Sequence, residues 1–190
     1  MGLVIGIVVA AVIVILLLFV IVIYNGLVRR RNEKDNSWSQ IDVQLKRRHD
    51  LIPNLIETVK GYASHERETL DSVTSARNLA QGAVGQGVGA QSQAEAGLSG
   101  ALSRLLAVVE NYPDLKANQN FLALQEELSS TENKISFSRQ YYNDSVLRYN
   151  NKVQMFPSNI VAGMTGFKLA EFFEIEAPAE REVPKVSFTS

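Results

Sequence analysis

Residues 38–60 read WSQIDVQLKRRHDLIPNLIETVK, and whether this stretch is one helix or two decides the fold. Apolar residues fall at Trp38, Ile41, Leu45, Ile52, Leu55 and Val59 and continue as Tyr62, Leu70, Val73 and Ala80. Spacings near three and four make the stripe of an amphipathic, coiled-coil-like helix. Arg48 and Glu66 put charge on that stripe, so their partners must come from other helices or from water. Pro53 lacks the amide proton that would reach the carbonyl of His49, and its ring crowds that carbonyl, which costs about 3 kcal/mol inside a helix. The pattern therefore predicts a helix over about 33–81 with a break near Pro53, where Asp50 would cap the restarted part. Arg47 and Asp50, three apart on one face, read as a solvated ion pair of about 0.3 to 0.5 kcal/mol.

Upstream, LVIGIVVAAVIVILLLFVIVI from Leu3 to Ile23 carries no charge. At about 1.5 Å per residue it spans roughly 31 Å, the thickness of a hydrocarbon core. Its valines and isoleucines favour strands in water, but in lipid a lone segment satisfies its backbone only as a helix. Leu3, Gly6, Ala10, Leu17 and Ile23 mark this membrane span, and residues 1–28 form the anchor. A cleaved signal peptide is the competing reading. It is disfavoured by the missing basic residue before the run, the missing A-x-A site after it, and a length beyond the usual roughly 7 to 15 apolar residues. Arg29, Arg30, Arg31 and Lys34 follow the run directly, which places the N-terminus outside and the larger domain in the cytoplasm of a single-pass inner-membrane protein. Gly2, Gly6 and Ala10 recur every four residues, a small-residue face on which two spans can approach closely.

Downstream, glycines at 82, 85, 87 and 89 predict a loop over Gly82 to Ala90. A second helix, about 91–111, carries Leu98, Leu102, Leu105 and Val109 on one face and stops at NYPDLKAN. There Pro113 makes either a hairpin turn or a kink. A third helix, about 118–156, runs from Phe121 through Leu128, Ile135, Tyr142 and Val146 to Val153, with Thr131 and Ser138 as small polar interruptions that set register. A short helix over 158–174 caps the bundle or touches a membrane or neighbouring copy, and 175–190 form an extended tail. The expected fold is all-α: a transmembrane helix, a long antiparallel helical bundle over 29–174, a short helix and the tail. The first helix is about twice as long as the second, so part of its stripe should project uncovered and favour further copies. Ile160, Val161, Met164, Phe167, Phe172 and Phe173, with Val186 and Phe188 of the tail, are the expected oligomer contacts.

The chemistry read from the residues is sparse. The formal net charge of −1 does not point to nucleic acid. The absence of cysteine excludes disulfides, thiolate metal sites and thiol nucleophiles. His49 and His65 are the only histidines, and HERET at 65–69 lacks the second histidine of a zinc-binding HExxH helix. No Walker A loop or GxSxG elbow occurs. No catalytic residue, cofactor or metal site is expected. Arg47, Arg48, His49, Asp50, Pro53 and Asn54 form a surface on which another membrane protein would dock. A hydrolase-type site at the same place would require His49 buried beside a carboxylate in a cleft.

Three long strings carry a family resemblance: YNGLVRRRNEKDNSWSQIDVQLKRRHDLIPNLIETVKGYASHE, ENYPDLKANQNFLALQEELSSTENKISFSRQYYND, and RYNNKVQMFPSNIVAGMTGFKLAEFF followed by PKVSF. In these the chain resembles the LemA family of bacterial membrane proteins, departing in the glycine-rich region 82–97. The resemblance implies a single span with a cytoplasmic helical bundle and a scaffolding or membrane-organising role, linked in some members to magnetosome formation. It implies no catalytic residue. The partners expected are membrane lipid, further copies of the chain and other membrane proteins.

Overall fold

The computed structural model describes residues 1–63 and 65–174, and every regular element among them is helical. The order is α1 (Gly2–Lys60), α2 (Arg67–Gly82), α3 (Val88–Val109), α4 (Pro113–Lys116), α5 (Gln119–Gln154) and α6 (Ser158–Thr165). Two compact units arise, one from residues 1–43 and 136–172, the other from 44–135 with 173 and 174.

The second unit is a four-helix up-down-up-down bundle rather than three helices side by side. α1 ends at Lys60 and α2 begins at Arg67, so the long first helix is two helices divided near residues 61–66. At Pro53, where a break is expected, α1 continues without interruption. Arg77 of α2 reaches His49 of α1, placing α2 antiparallel to it. Glu95 lies by Arg48 while Tyr112 meets Glu66, so α3 runs parallel to α1. Asn118 donates to the Tyr62 hydroxyl and Glu127 pairs with Arg47, which turns α5 antiparallel to α1 and makes the segment around Pro113 a hairpin. Ile52, Leu55 and Val59 of α1, Leu70 and Val73 of α2, Leu98 and Leu105 of α3, and Phe121 of α5 close the core. Each such side chain contributes about 1.5–3 kcal/mol on burial. α2 thus packs on Ile52, Leu55 and Val59, a part of the α1 stripe that one long first helix would leave uncovered.

The turn from α2 to α3 is tighter than the expected loop over Gly82–Ala90. Gly82 closes α2 and Val88 opens α3, with Gly85 and Gly87 at φ of 81° and 105°, a region that side chains rarely adopt.

In the first unit, α1 carries the apolar run and then pairs antiparallel with α5. Glu33 accepts from Arg148 at 3.0 Å, Lys34 sits over the Tyr149 ring at 5.8 Å, and Trp38 meets Tyr142 edge-on at 5.1 Å. α6 folds back over the start of this pair. It stops at Gly166, φ 75°, not at 174. The residues after it run back along α5 as a non-helical strap. Tyr149 donates to the Lys168 carbonyl at 2.7 Å, Asn150 exchanges two bonds with Ala170, and Tyr142 donates to the Glu171 carbonyl at 3.0 Å. The bonded side chains of α5 take the place of the helical hydrogen bonds this segment lacks.

Candidate functional site

The heptad-like stripe that buries Leu45 and Ile52 also buries Arg48, three residues after one and four before the other. A guanidinium so enclosed must be neutralised and hydrogen-bonded. Two neighbouring helices supply this. Arg48 Nη2 pairs with Glu95 of α3, and Nη1 donates to Ser99 of α3 at 2.9 Å and to Glu132 of α5 at 2.6 Å. The side chain is 2% exposed, and that of Glu95 is 1%. His49, equally enclosed, sets Nε2 2.8 Å from the other oxygen of Glu95. Burial pushes the Glu95 carboxyl up, but His49 and Arg48 more than offset this and hold it below the usual carboxylate range.

The continuity of α1 has its explanation beside this cluster. The His49 carbonyl, orphaned by Pro53, accepts a hydrogen bond from Arg77 Nε at 2.7 Å. The lost helical bond is replaced from the neighbouring helix, and Pro53 itself lies on the solvent side.

RRHD is therefore not uniformly solvated. Arg47 and Asp50 face outward but do not pair with each other: Arg47 Nε donates to Glu127 at 2.8 Å and Lys46 to Asp50 at 2.9 Å. Asp50 lies within α1 and caps nothing. The proposed docking residues divide, with Arg47, Asp50, Pro53 and Asn54 at the surface and Arg48 and His49 inside. A groove of about 350 Å³ reaches Arg48 between Leu55, Ser99, Leu102, Leu128 and Glu132, but His49 does not line it. The burial and the carboxylate that a catalytic His49 would need are both present. Among the described residues no group of three or more His, Asp or Glu side chains converges as a metal site would require.

Of the expected oligomer contacts, Ile160 and Met164 are exposed and Phe172 less so. Val161 and Phe173 are buried within the chain, and Phe167 is half-buried under the Arg31 guanidinium, 5.2 Å from its ring. Val186 and Phe188 lie outside the described residues. Among the topology-setting cations, Arg30 donates to Glu33 at 2.7 Å, Lys34 pairs with Asp35 at 2.7 Å, and Arg29 is exposed. Leu3, Gly6, Ala10 and Leu17 are exposed, whereas Ile23 is covered by α6.

Sequence reasoning missed Glu95, Ser99, Glu132 and Arg77. A signal for Glu95 was present: it precedes Leu98 by three and shares the apolar face of α3, an isolated carboxylate matching the isolated Arg48 on the stripe of α1.

A helix of membrane length and composition, continuous with a helical bundle, defines a helical membrane protein. The chain belongs to the LemA family, whose model matches residues 37–188. It is 28% identical to magnetosome protein MamQ 2 of Paramagnetospirillum magneticum, across 82% of this chain and 66% of that protein. It is 27% identical to magnetosome protein MamQ of Magnetospirillum gryphiswaldense over the same shares, and 33% identical to Protein LemA of Metamycoplasma hominis across 73% of this chain and 63% of that protein. The chain thus spans a little under two thirds of the length of these relatives.

Proposed function

We propose that this protein is a non-enzymatic, membrane-anchored helical scaffold that self-associates and organises or shapes membrane or partner proteins. The observation that carries this reading is that α1 holds the apolar run and one helix of the bundle in a single uninterrupted element. Self-association is supported by bare apolar side chains beyond the span, among them Val43, Phe137 and Tyr141, the last two one turn apart on α5. The relatives named as magnetosome proteins fit a role at a membrane. The Arg48–His49–Glu95 cluster is a packing element in this reading, because all three side chains are enclosed between helices.

The arginine run after Ile23 supports an inner-membrane topology with the N-terminus outside and the bundle in the cytoplasm. A second reading, an adaptor for another membrane protein such as a protease or transporter, is supported by the outward-facing Arg47, Asp50, Pro53 and Asn54 on one side of α1. Purification of the tagged full chain from its native membranes in mild detergent separates the two. Copies of the chain alone support the scaffold; a second protein at fixed stoichiometry, lost on substituting Arg47 and Asn54, supports the adaptor.

A further inference from the structure

α6, SNIVAGMT, carries no charged side chain and has two unlike sides. Val161 and Ala162 cover Ile23 and Leu27 of α1, with Val153 and Phe167 beside them. Ile23 closes the uncharged run, and Leu27 lies four residues, about 6 Å, farther along the helix. α6 is therefore held at the level where α1 leaves the hydrocarbon. Its other side is bare: Ile160 is 55% and Met164 82% exposed, and Met155 and Phe156, just before it, are 62% and 79% exposed. The surroundings at this level are those of a headgroup boundary. Tyr24 stands edge-on to Phe167 at 5.9 Å, Arg31 lies over the same ring, and the Lys152 stem packs by Gly26. Aromatic rings with cations on apolar stems suit that boundary, where the stems lie in the apolar layer and the charges meet phosphate.

We propose that α6 is an interfacial helix, with Met155, Phe156, Ile160 and Met164 immersed in the acyl–headgroup boundary, so that the chain holds the bilayer at two places. The inference rests on the reading of Leu3–Ile23 as a membrane span. Lipid is the occupant because α6 packs on the end of that span, which fixes the depth of its bare side.

The chain has no cysteine, so a single substitution takes one nitroxide label. Full-length Ile160→Cys and Met164→Cys are reconstituted in vesicles of phosphatidylcholine and phosphatidylglycerol, beside Val14→Cys in the span and Leu79→Cys on the exposed side of α2. Collisions with oxygen, which concentrates in hydrocarbon, are compared with collisions with a water-soluble nickel chelate. The expected result is oxygen-dominated relaxation at 14, 160 and 164 and nickel-dominated relaxation at 79. Nickel-dominated relaxation at 160 and 164 with Val14→Cys in lipid overturns the proposal and leaves the span standing. Labels at 160 and 164 shielded from both agents and broadened by one another overturn it in favour of a second copy. A water-exposed label at position 14 overturns the span reading, and the proposal with it.

Discussion

Arg77 donates a hydrogen bond at 2.7 Å to the carbonyl of His49, the acceptor that Pro53, four residues on, has no proton to fill. A cost of about 3 kcal/mol for proline inside a helix includes the lost bond, and α2 returns that part. Arg77→Ala leaves a partly enclosed carbonyl unpaired and is expected to lower stability by about 1–3 kcal/mol. In a Pro53→Ala background, where residue 53 supplies its own amide, the same substitution should cost less. Urea unfolding of the four proteins, followed by circular dichroism, gives the coupling. Equal costs in both backgrounds would break the link.

Glu95 neutralises a guanidinium that has almost no access to water. Glu95→Gln keeps the shape and removes the charge, and the loss of one partner of a buried pair is expected to cost about 3–5 kcal/mol. The folded carboxyl titrates below its ordinary value of 4.5. Its contribution is therefore fully present above the unfolded pKa and is lost as the pH falls through the lower folded value. Acid unfolding of the wild type should steepen below about pH 4.5, and in Glu95→Gln that part of the pH dependence should be missing. Superimposable pH profiles would show that the cluster bears no load.

Tyr142 is packed against Trp38 and donates to the Glu171 carbonyl at 3.0 Å. Burial, with Asp35 and Glu171 nearby, pushes its phenol up to about 12. Stability from this group is complete below the unfolded value near 10 and is lost as the pH rises through the folded one. Ultraviolet titration of the folded protein should show a late tyrosinate that Tyr142→Phe removes, with a stability loss of about 1 kcal/mol from the missing hydrogen bond.

Thr131 Oγ1 is buried on α5 and has no hydrogen-bond partner among the described residues. Thr131→Val keeps the shape and removes the hydroxyl, and it is expected to raise stability by about 1 kcal/mol. A thermal melt of the pair checks the sign.

The span, the α3 and α5 helices and the helical stripe were legible because each follows from local periodicity or length. Arg48 also announced its need for a partner on another helix. The fate of Pro53 was not legible: its tolerance depends on Arg77, remote in sequence and recognisable only once α2 folds back. That return was hidden because the apolar rhythm runs from Val59 to Leu70 as if the helix continued, with Gly61 the one local sign of interruption. The strap after Gly166 was likewise invisible, since its backbone is held by Tyr142, Tyr149 and Asn150 of α5 rather than by its own sequence.

Self-association in the membrane is the central claim, and the mass of the intact assembly tests it most directly. Light scattering of the full chain in mild detergent, over a wide range of protein concentration and corrected for bound detergent, is expected to give a multiple of 21.0 kDa. Substituting Phe137 and Tyr141 by serine should shift that mass downward. A single copy per micelle at every concentration would contradict the scaffold.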